Sequence, residues 1–342
     1  MPGSSARKRF SAKLWRKARP RASPTMADIT VVIPTFNRAG LVPLAIRSVL
    51  AQTHRATEII VVDDGSADRT PEVLAGFGPQ IRAVRQENGG LSAARNTGIK
   101  AAKTEWVAFL DDDDEYAPDR LARAAQSIER HPAADAHLTN TAIVAEGAPD
   151  VDLFALRGMK TAPWQTVDRP LGWVLKGCFF AQSLVVRRRL LHDVGLFRKT
   201  FYEDMDLFVR LVPGRPWIID DQPMLRLIRR GNTQAMSDDW RSKPIERCGA
   251  LVRIHRECLA FPGLNAGEVW MVRSGLAAYL FELGAALALK GEGRAARGHF
   301  AESVRTSVAW RPRLKAMFAF VAGAPFIRIL QRMAQRQKRF VR

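Results

Sequence analysis

From Asp28 to Leu110 the chain repeats one pattern: a short run of β-branched and aromatic residues, a turn, then a helical run. The runs I-T-V-V-I-P (29–34), E-I-I-V-V (58–62), I-R-A-V (81–84) and W-V-A-F-L (106–110) predict strands, and 41–52, 70–77 and 91–102 predict the helices between them. Strands alternating with helices require right-handed crossovers and a parallel sheet covered on both faces, so the fold class is α/β. Ligands of such sheets sit beyond the carboxyl ends of the strands. Those ends carry Thr35-Phe36-Asn37-Arg38, Asp63-Asp64-Gly65-Ser66, Asn88-Gly89-Gly90 and Asp111 to Glu115.

The fourth strand runs directly into four aspartates and a glutamate (W-V-A-F-L-D-D-D-D-E-Y, 106–116). Carboxylates crowded at a strand end repel one another unless a cation neutralises them or their pKa values rise. Mg²⁺ or Mn²⁺ would do the former, held by one or two carboxylates and the phosphates of a substrate. An acidic loop capping a helix that starts near Pro118 is the alternative. No G-x-G-x-x-G follows any of the strands, and G-F-G-P-Q-I (76–81) fails at its last position, which disfavours a dinucleotide cofactor.

The net charge of +19 is confined to the ends of the chain. Of 53 Lys/Arg, eight lie in residues 1–25 and ten after Glu302, segments without acid, which leaves 35 basic against 34 acidic residues in the body. A near-neutral body lacks the clustered base of a nucleic-acid groove, so no nucleic-acid partner is expected. Three widely spaced cysteines (Cys178, Cys248, Cys258) suit a reducing compartment, and none of the six histidines pairs at metal-ligand spacing. The first 26 residues have no apolar stretch of signal-peptide length and read as a basic, disordered arm, or as sequence upstream of a start at Met26.

Six segments in order resemble inverting glycosyltransferases of family 2, with the GT-A nucleotide-diphospho-sugar transferase fold. They are V-V-I-P-T-F-N-R (31–38), S-V-L-A-Q-T (48–53), E-I-I-V-V-D-D-G-S (58–66), N-G-G-L-S-A-A-R-N-T-G (88–98), F-L-D-D-D-D (109–114) and F-Y-E-D-M-D-L-F-V-R-L (201–211). The resemblance implies a D-x-D element at Asp111 and Asp113, with Asp113 the ligand of Mn²⁺ or Mg²⁺ and Asp111 toward ribose and phosphate. Four aspartates leave Asp112-x-Asp114 as a second register, and Asp112 is counted among the donor contacts. Asp64 is expected on the uracil or thymine edge, with turn formation beside Gly65 as its alternative role. Pro34, Thr35, Phe36 and Arg38, and Asn88, Gly90 and Arg95, are expected around the rest of the nucleotide sugar. An exposed helix face would account for Arg95 and Asn96 almost as well. Asp204 of Glu203-Asp204 resembles the general base, and Asp206, two residues on, should face another way on a helix. P-M-L-R-L-I-R-R-G-N-T-Q departs from the family pattern, keeping Arg226 and Asn232 but placing Ile228 where histidine is frequent, with Arg229 or Arg230 left to meet a diphosphate.

The expected organisation is a basic arm (1–26), a catalytic domain (27–240, its nucleotide half about 27–130 and its acceptor half about 131–240) and a helical region with a basic tail (241–342). Residues 146–170 read as loop, and 171–230 as a second mixed region. Leu280, Leu283, Gly284, Gly291, Ala296 and Phe300 have the spacing of one tetratricopeptide hairpin, which cannot bury its own apolar face alone. The apolar run 316–327, followed by basic residues, suits either an interfacial segment drawn to anionic lipid or a packed terminal helix. The function implied is transfer of a sugar from a UDP- or dTDP-sugar to a hydroxyl of a glycan or lipid-linked acceptor in cell-surface polysaccharide or glycolipid synthesis. Such an enzyme would work in the cytoplasm, at the cytoplasmic face of the inner membrane where its acceptor is lipid-linked. Two other classes fit less well: a sugar-nucleotide-binding scaffold without activity, and a nucleotidyltransferase, for which P-T-F-N-R lacks the glycine-rich basic loop.

Overall fold

The computed structural model describes residues 27–145, 147–177, 179–213, 215–229 and 242–340. The basic arm, Cys178, Arg230 and Asn232 lie outside the described residues, as do the side chains of the basic tail beyond Arg332.

The first half alternates as its sequence predicts: β1 (Ile29–Thr35), α1 (Val42–Leu50), β2 (Glu58–Asp63), α2 (Thr70–Ala75), β3 (Arg82–Arg85), α3 (Leu91–Ala101) and β4 (Trp106–Phe109). A two-residue strand β5 (Glu115–Tyr116) and α4 (Arg120–Arg130) follow the acidic run. Next come β6 (Ala136–Ala145), β7 (Val151–Asp152), α5 (Leu153–Leu156), β8 (Gln165–Val167), α6 (Leu171–Gly177), β9 (Leu184–Arg187), α7 (Arg188–Asp193), α8 (Glu203–Leu211) and β10 (Trp217–Arg229). The segment expected as loop at 146–170 therefore holds three short elements, pinned by Asn140, whose amide donates to Asp152 at 2.8 Å.

Among the described residues the strands form one sheet in the order β3-β2-β1-β4-β9-β6-β10-β5, with β7 on β6 and β8 on β10. β1 pairs in parallel with β2 and β4, and β2 with β3. The sheet is mostly parallel, as the GT-A resemblance implies, and β9 enters it antiparallel to both β4 and β6. Both faces are covered, because successive residues of one strand enter different cores. Ile29, Val31 and Ile33 pack with α1 and α4 on one face, while Val32, Ile60, Val62 and Phe109 pack with α3 and α8 on the other. Gly98 sets how closely α3 lies on β1, since a Cβ there would stand 2.2 Å from a methyl of Val32.

The helical region comprises α9 (Pro244–Leu259), α10 (Ala266–Lys290), α11 (Gly293–Thr306), α12 (Trp310–Ala322) and α13 (Ala324–Phe340). Ile254 and Cys258 of α9 and Val272 of α10 complete the core beneath the sheet, and a separate core holds the outer helices. In the α10–α11 hairpin the Gly284 position accepts the Phe300 ring, where a Cβ would meet it at 2.8 Å. Charge ties the region to the sheet domain: Arg169 bridges to Glu268, which completes a capping box with Asn265 at the start of α10, and Arg198 bonds Glu257 at 3.0 Å. Among the described residues one helix, α10, is long and apolar enough to cross a membrane, and its Leu276, Leu280 and Leu283 are buried in the bundle.

Candidate active site

Three loops at the carboxyl ends of β1, β2 and β3 are knitted together by the residues that the motifs share. Asn37, in the left-handed region (φ 53°), accepts the Ala67 N–H on its side chain at 2.8 Å while its own N–H meets Ser66 Oγ at 2.9 Å. Asp63 accepts from Ser66 N–H (2.9 Å) and from Arg85 (2.6 Å). Asp64 is buried, and both of its oxygens are engaged. Oδ1 takes Gln86 Nε2 (2.6 Å) and Gly89 N–H (2.9 Å), and Oδ2 takes Gly90 N–H (2.8 Å). Gly90 then opens α3 at φ 88°, a conformation that favours glycine. Phe36 is left projecting, 44% exposed, and Asn88 is exposed beside it in the sequence of loops.

The acidic run divides by alternation. Asp112 and Asp114 are buried, whereas Asp111 and Asp113 are partly exposed, with side chains 23% and 34% accessible. Asp112 accepts the Thr35 hydroxyl at 2.7 Å, and burial pushes its pKa up to about 7. Asp114 accepts the Ile228 N–H at 2.9 Å, so the position where histidine is frequent contributes its backbone to the loop. Asp113 faces Arg38 at 3.7 Å. The far side of the run is clamped by α1 and the turn after it: Ser48 Oγ accepts Tyr116 N–H (3.2 Å), and Gln52 joins Ala117 O (2.7 Å) to Leu121 N–H (2.9 Å).

Arg95 projects from α3 into this cluster and is 1% exposed, which removes the reading of an exposed helix face. One guanidinium nitrogen donates to Asp111 (2.9 Å) and the other to Asp204 (2.8 Å), with Glu203 at 3.7 Å. Its neighbour Asn96 fixes the turn before α8 by bonding both the carbonyl and the N–H of Phe197. Tyr202 enters α8 at φ 58°, so that Glu203 and Asp204 occupy the first helical turn. Desolvation raises the pKa of Asp204 against the opposing charge of Arg95, and it pushes Glu203 up to about 7. Asp206 turns away and is fully buried against Arg210 (2.8 Å) and Arg253 (3.3 Å), in agreement with its expected separation from Asp204.

The structure thus brings Asp111, Asp204 and Arg95 together and sets Arg38, Phe36 and Asp113 toward solvent at the same strand ends. Pro34, Thr35, Asp64 and Asp112 are buried, and of the last three each holds a loop. Sequence reasoning gave no role to Gln182, which is buried and donates to Asp111 (2.5 Å) and Asp114 (3.2 Å), or to the Ala181 N–H, which meets Asp204 at 3.0 Å. A polar residue set between the apolar runs F-F-A and L-V-V was the available signal.

Residues 30–189 match the model of the family described as glycosyl transferase family 2. The succinoglycan biosynthesis protein ExoO of Rhizobium meliloti is 38% identical over 196 residues, 55% of this chain and 52% of that protein. The chain spans a third to about half the length of the first curated relatives it matches. Among solved structures, S. aureus TarS 1–349 in complex with UDP-GlcNAc superposes with a TM-score of 0.67 at 20% identity, covering 91% of this chain and 92% of that one. The mannosyltransferase PcManGT from Pyrobaculum calidifontis, in complex with GDP-Man and Mn²⁺, gives 0.50 at 18% identity over 89% and 83%. The fold is the GT-A arrangement, and it is residues 30–189 that carry the match to glycosyl transferase family 2.

Proposed function

We propose that the protein transfers a sugar, with inversion at the anomeric carbon, from a UDP- or dTDP-sugar to a hydroxyl group of a surface glycan or glycolipid precursor. The observation that carries this reading is the double ion pair of Arg95, which holds a strand-end carboxylate, Asp111, and a helix-start carboxylate, Asp204, on one guanidinium. Donor-side and acceptor-side groups are thereby fixed relative to each other before any ligand arrives, the condition under which positioning lowers a barrier. UDP-GlcNAc in TarS supports a uridine donor, and the name of ExoO supports a polysaccharide product.

In this reading Phe36 stacks on the base, and Asp64 meets the base edge through the acceptor capacity left on Oδ2 beyond the Gly90 N–H. Asp204 takes the proton of the attacking hydroxyl. Burial makes Asp204 a stronger base than a solvated aspartate, while Arg95 and the Ala181 N–H hold it in place. Asp113 suits a hard divalent cation, because its carboxylate is partly exposed at the strand end. Among the described residues no three acidic, His or Cys side chains converge for a metal, so the diphosphate would supply most of the remaining oxygens. Mn²⁺ or Mg²⁺ held there would stabilise the leaving diphosphate as a Lewis acid. Arg38, 3.7 Å from Asp113, is positioned for the same phosphates.

Thermal-shift measurements against UDP-, dTDP- and GDP-sugars with Mn²⁺ test the donor. Each 100-fold excess over Kd should add about 2.7 kcal/mol of stability for the uridine or thymidine sugars. A shift with GDP-sugars alone would replace the donor class, and product that retains the donor's anomeric configuration would end the role given to Asp204.

A further inference from the structure

Helix α12 is amphipathic in the reverse sense for a surface helix of a soluble bundle. It meets its neighbours through Ala316 and Ala319, both fully buried, and turns its large apolar side chains outward. Trp310, Leu314, Met317 and Val321 recur at i, i+4, i+7 and i+11, one stripe of a 3.6-residue helix, with Phe318 beside them. Trp310 is 66% exposed and Val321 83%. Of the fourteen large hydrophobic side chains exposed among the described residues, eight lie between Val308 and Ile329, so the patch is concentrated rather than scattered. The run 316–327, expected as either an interfacial segment or a packed terminal helix, is broken at Gly323 (φ 59°), and its Ile327 is buried, which shifts the apolar face toward the start of α12.

The charge around the stripe has one sign. Arg311 and Lys315 flank it on one side and Arg313 on the other, all three exposed, and Arg328 and Arg332 follow on α13. No acidic residue occurs after Glu302. Two copies meeting through this face would bring like charges together. A surface that is apolar within and anionic above matches both features, because long basic side chains can reach headgroups while the stripe sits among acyl chains.

We infer that the outer face of α12 is a docking surface for anionic membrane, lying in the plane of the interface with Trp310, Leu314, Met317, Phe318 and Val321 inserted and Arg311, Arg313 and Lys315 at headgroup level. The inference stands on this surface alone and does not depend on the reaction proposed above. It is tested with the full chain and vesicles of phosphatidylglycerol and phosphatidylethanolamine, against vesicles of phosphatidylcholine. Sedimentation should favour the anionic vesicles. Met317→Ser/Val321→Ser should weaken partitioning by about tenfold or more, since two apolar side chains no longer leave water. Arg311→Glu/Arg313→Glu should weaken it by about fivefold or more per residue. Because the basic arm can also attract vesicles, insertion is read separately by brominated-lipid quenching of tryptophan fluorescence, which Trp310→Phe should largely remove. All five substitutions in these three variants fall on exposed side chains, and unchanged circular dichroism would show that the fold survives. Equal quenching in wild type and Trp310→Phe would overturn the inference. So would a soluble dimer that the serine pair dissociates, which would assign the face to a second copy of the chain.

Discussion

Arg95 and Asp204, 109 residues apart in the chain, share a 2.8 Å ion pair at the junction of α3 and α8, and the same guanidinium holds Asp111. Removing it would leave two largely enclosed carboxylates without their counter-charge. Arg95→Met should therefore cost about 3–5 kcal/mol of stability, the usual result of breaking one side of a buried pair. Arg95→Lys keeps the charge but cannot span both partners. It should melt close to wild type and transfer sugar about 100-fold more slowly. Full turnover by Arg95→Lys, measured with donor saturating, would reduce Arg95 to a structural charge.

Asp204 and Asp206 lie on one helix with different partners, Arg95 for the first and Arg210 with Arg253 for the second. Asp204→Asn should bind the nucleotide sugar as wild type does and lose about 10²–10⁴ in transfer rate, because an amide cannot take the acceptor's proton. Asp206→Asn weakens the pair to Arg210 on the same helix and the pair to Arg253 that joins α8 to α9, and should lower Tm while leaving kcat of the remaining folded enzyme near wild type. Reversed behaviour of the two variants would exchange their roles, and near wild-type turnover by Asp204→Asn alone would point to Glu203.

The sheet around β1 to β4 was legible because each of those strands is bounded by turn chemistry and is rich in β-branched residues. β6 carries no such signature. Its buried Thr139, Asn140 and Thr141 break any apolar pattern, and the first two are satisfied by Gln222, Asp152 and Asp221 from other segments. The carboxylates of the site were legible for the same reason that they are unusual: negative charge at strand ends. What they do was less so. Asp64 and Asp112 hold the loops through partners 22–26 and 77 residues away, relations that no local spacing encodes. Gln182 belongs with them, since its ties to Asp111 and Asp114 exist only once β9 lies against β4.

The alternation of burial through the acidic run separates two effects that composition alone confuses. Asp113→Ala should abolish Mn²⁺-dependent binding of UDP-sugar, seen by calorimetry, without lowering Tm. Asp114→Ala leaves the Ile228 N–H without its acceptor and should lower stability by ~1–3 kcal/mol with metal dependence retained. If Asp114→Ala instead removed the manganese effect at unchanged Tm, the metal would belong to the 112–114 register.

His137 gives the fold a pH dependence independent of the active site. It is buried between Ser127, whose Oγ is 2.7 Å from Nδ1, and the edge of Trp106, at 5.2 Å. Desolvation, aided by the charges of His131 and Arg120, pushes its pKa down to about 3. In the unfolded chain the ring titrates near ~6.5. The unfolded state therefore binds the extra proton first on acidification, and the stability that neutral His137 contributes at pH 7 is lost as pH falls from about 6.5 toward 3, at up to about 1.4 kcal/mol per pH unit. His137→Asn keeps an acceptor for Ser127 but does not titrate. The variant should be the less stable protein at pH 7.5, from the volume it loses, and the difference should shrink steadily below pH 6.5 as the wild type alone gives up its advantage. Unfolding curves in urea at half-unit pH steps would show this convergence. Parallel profiles for the two proteins would mean that His137 is protonated equally in both states.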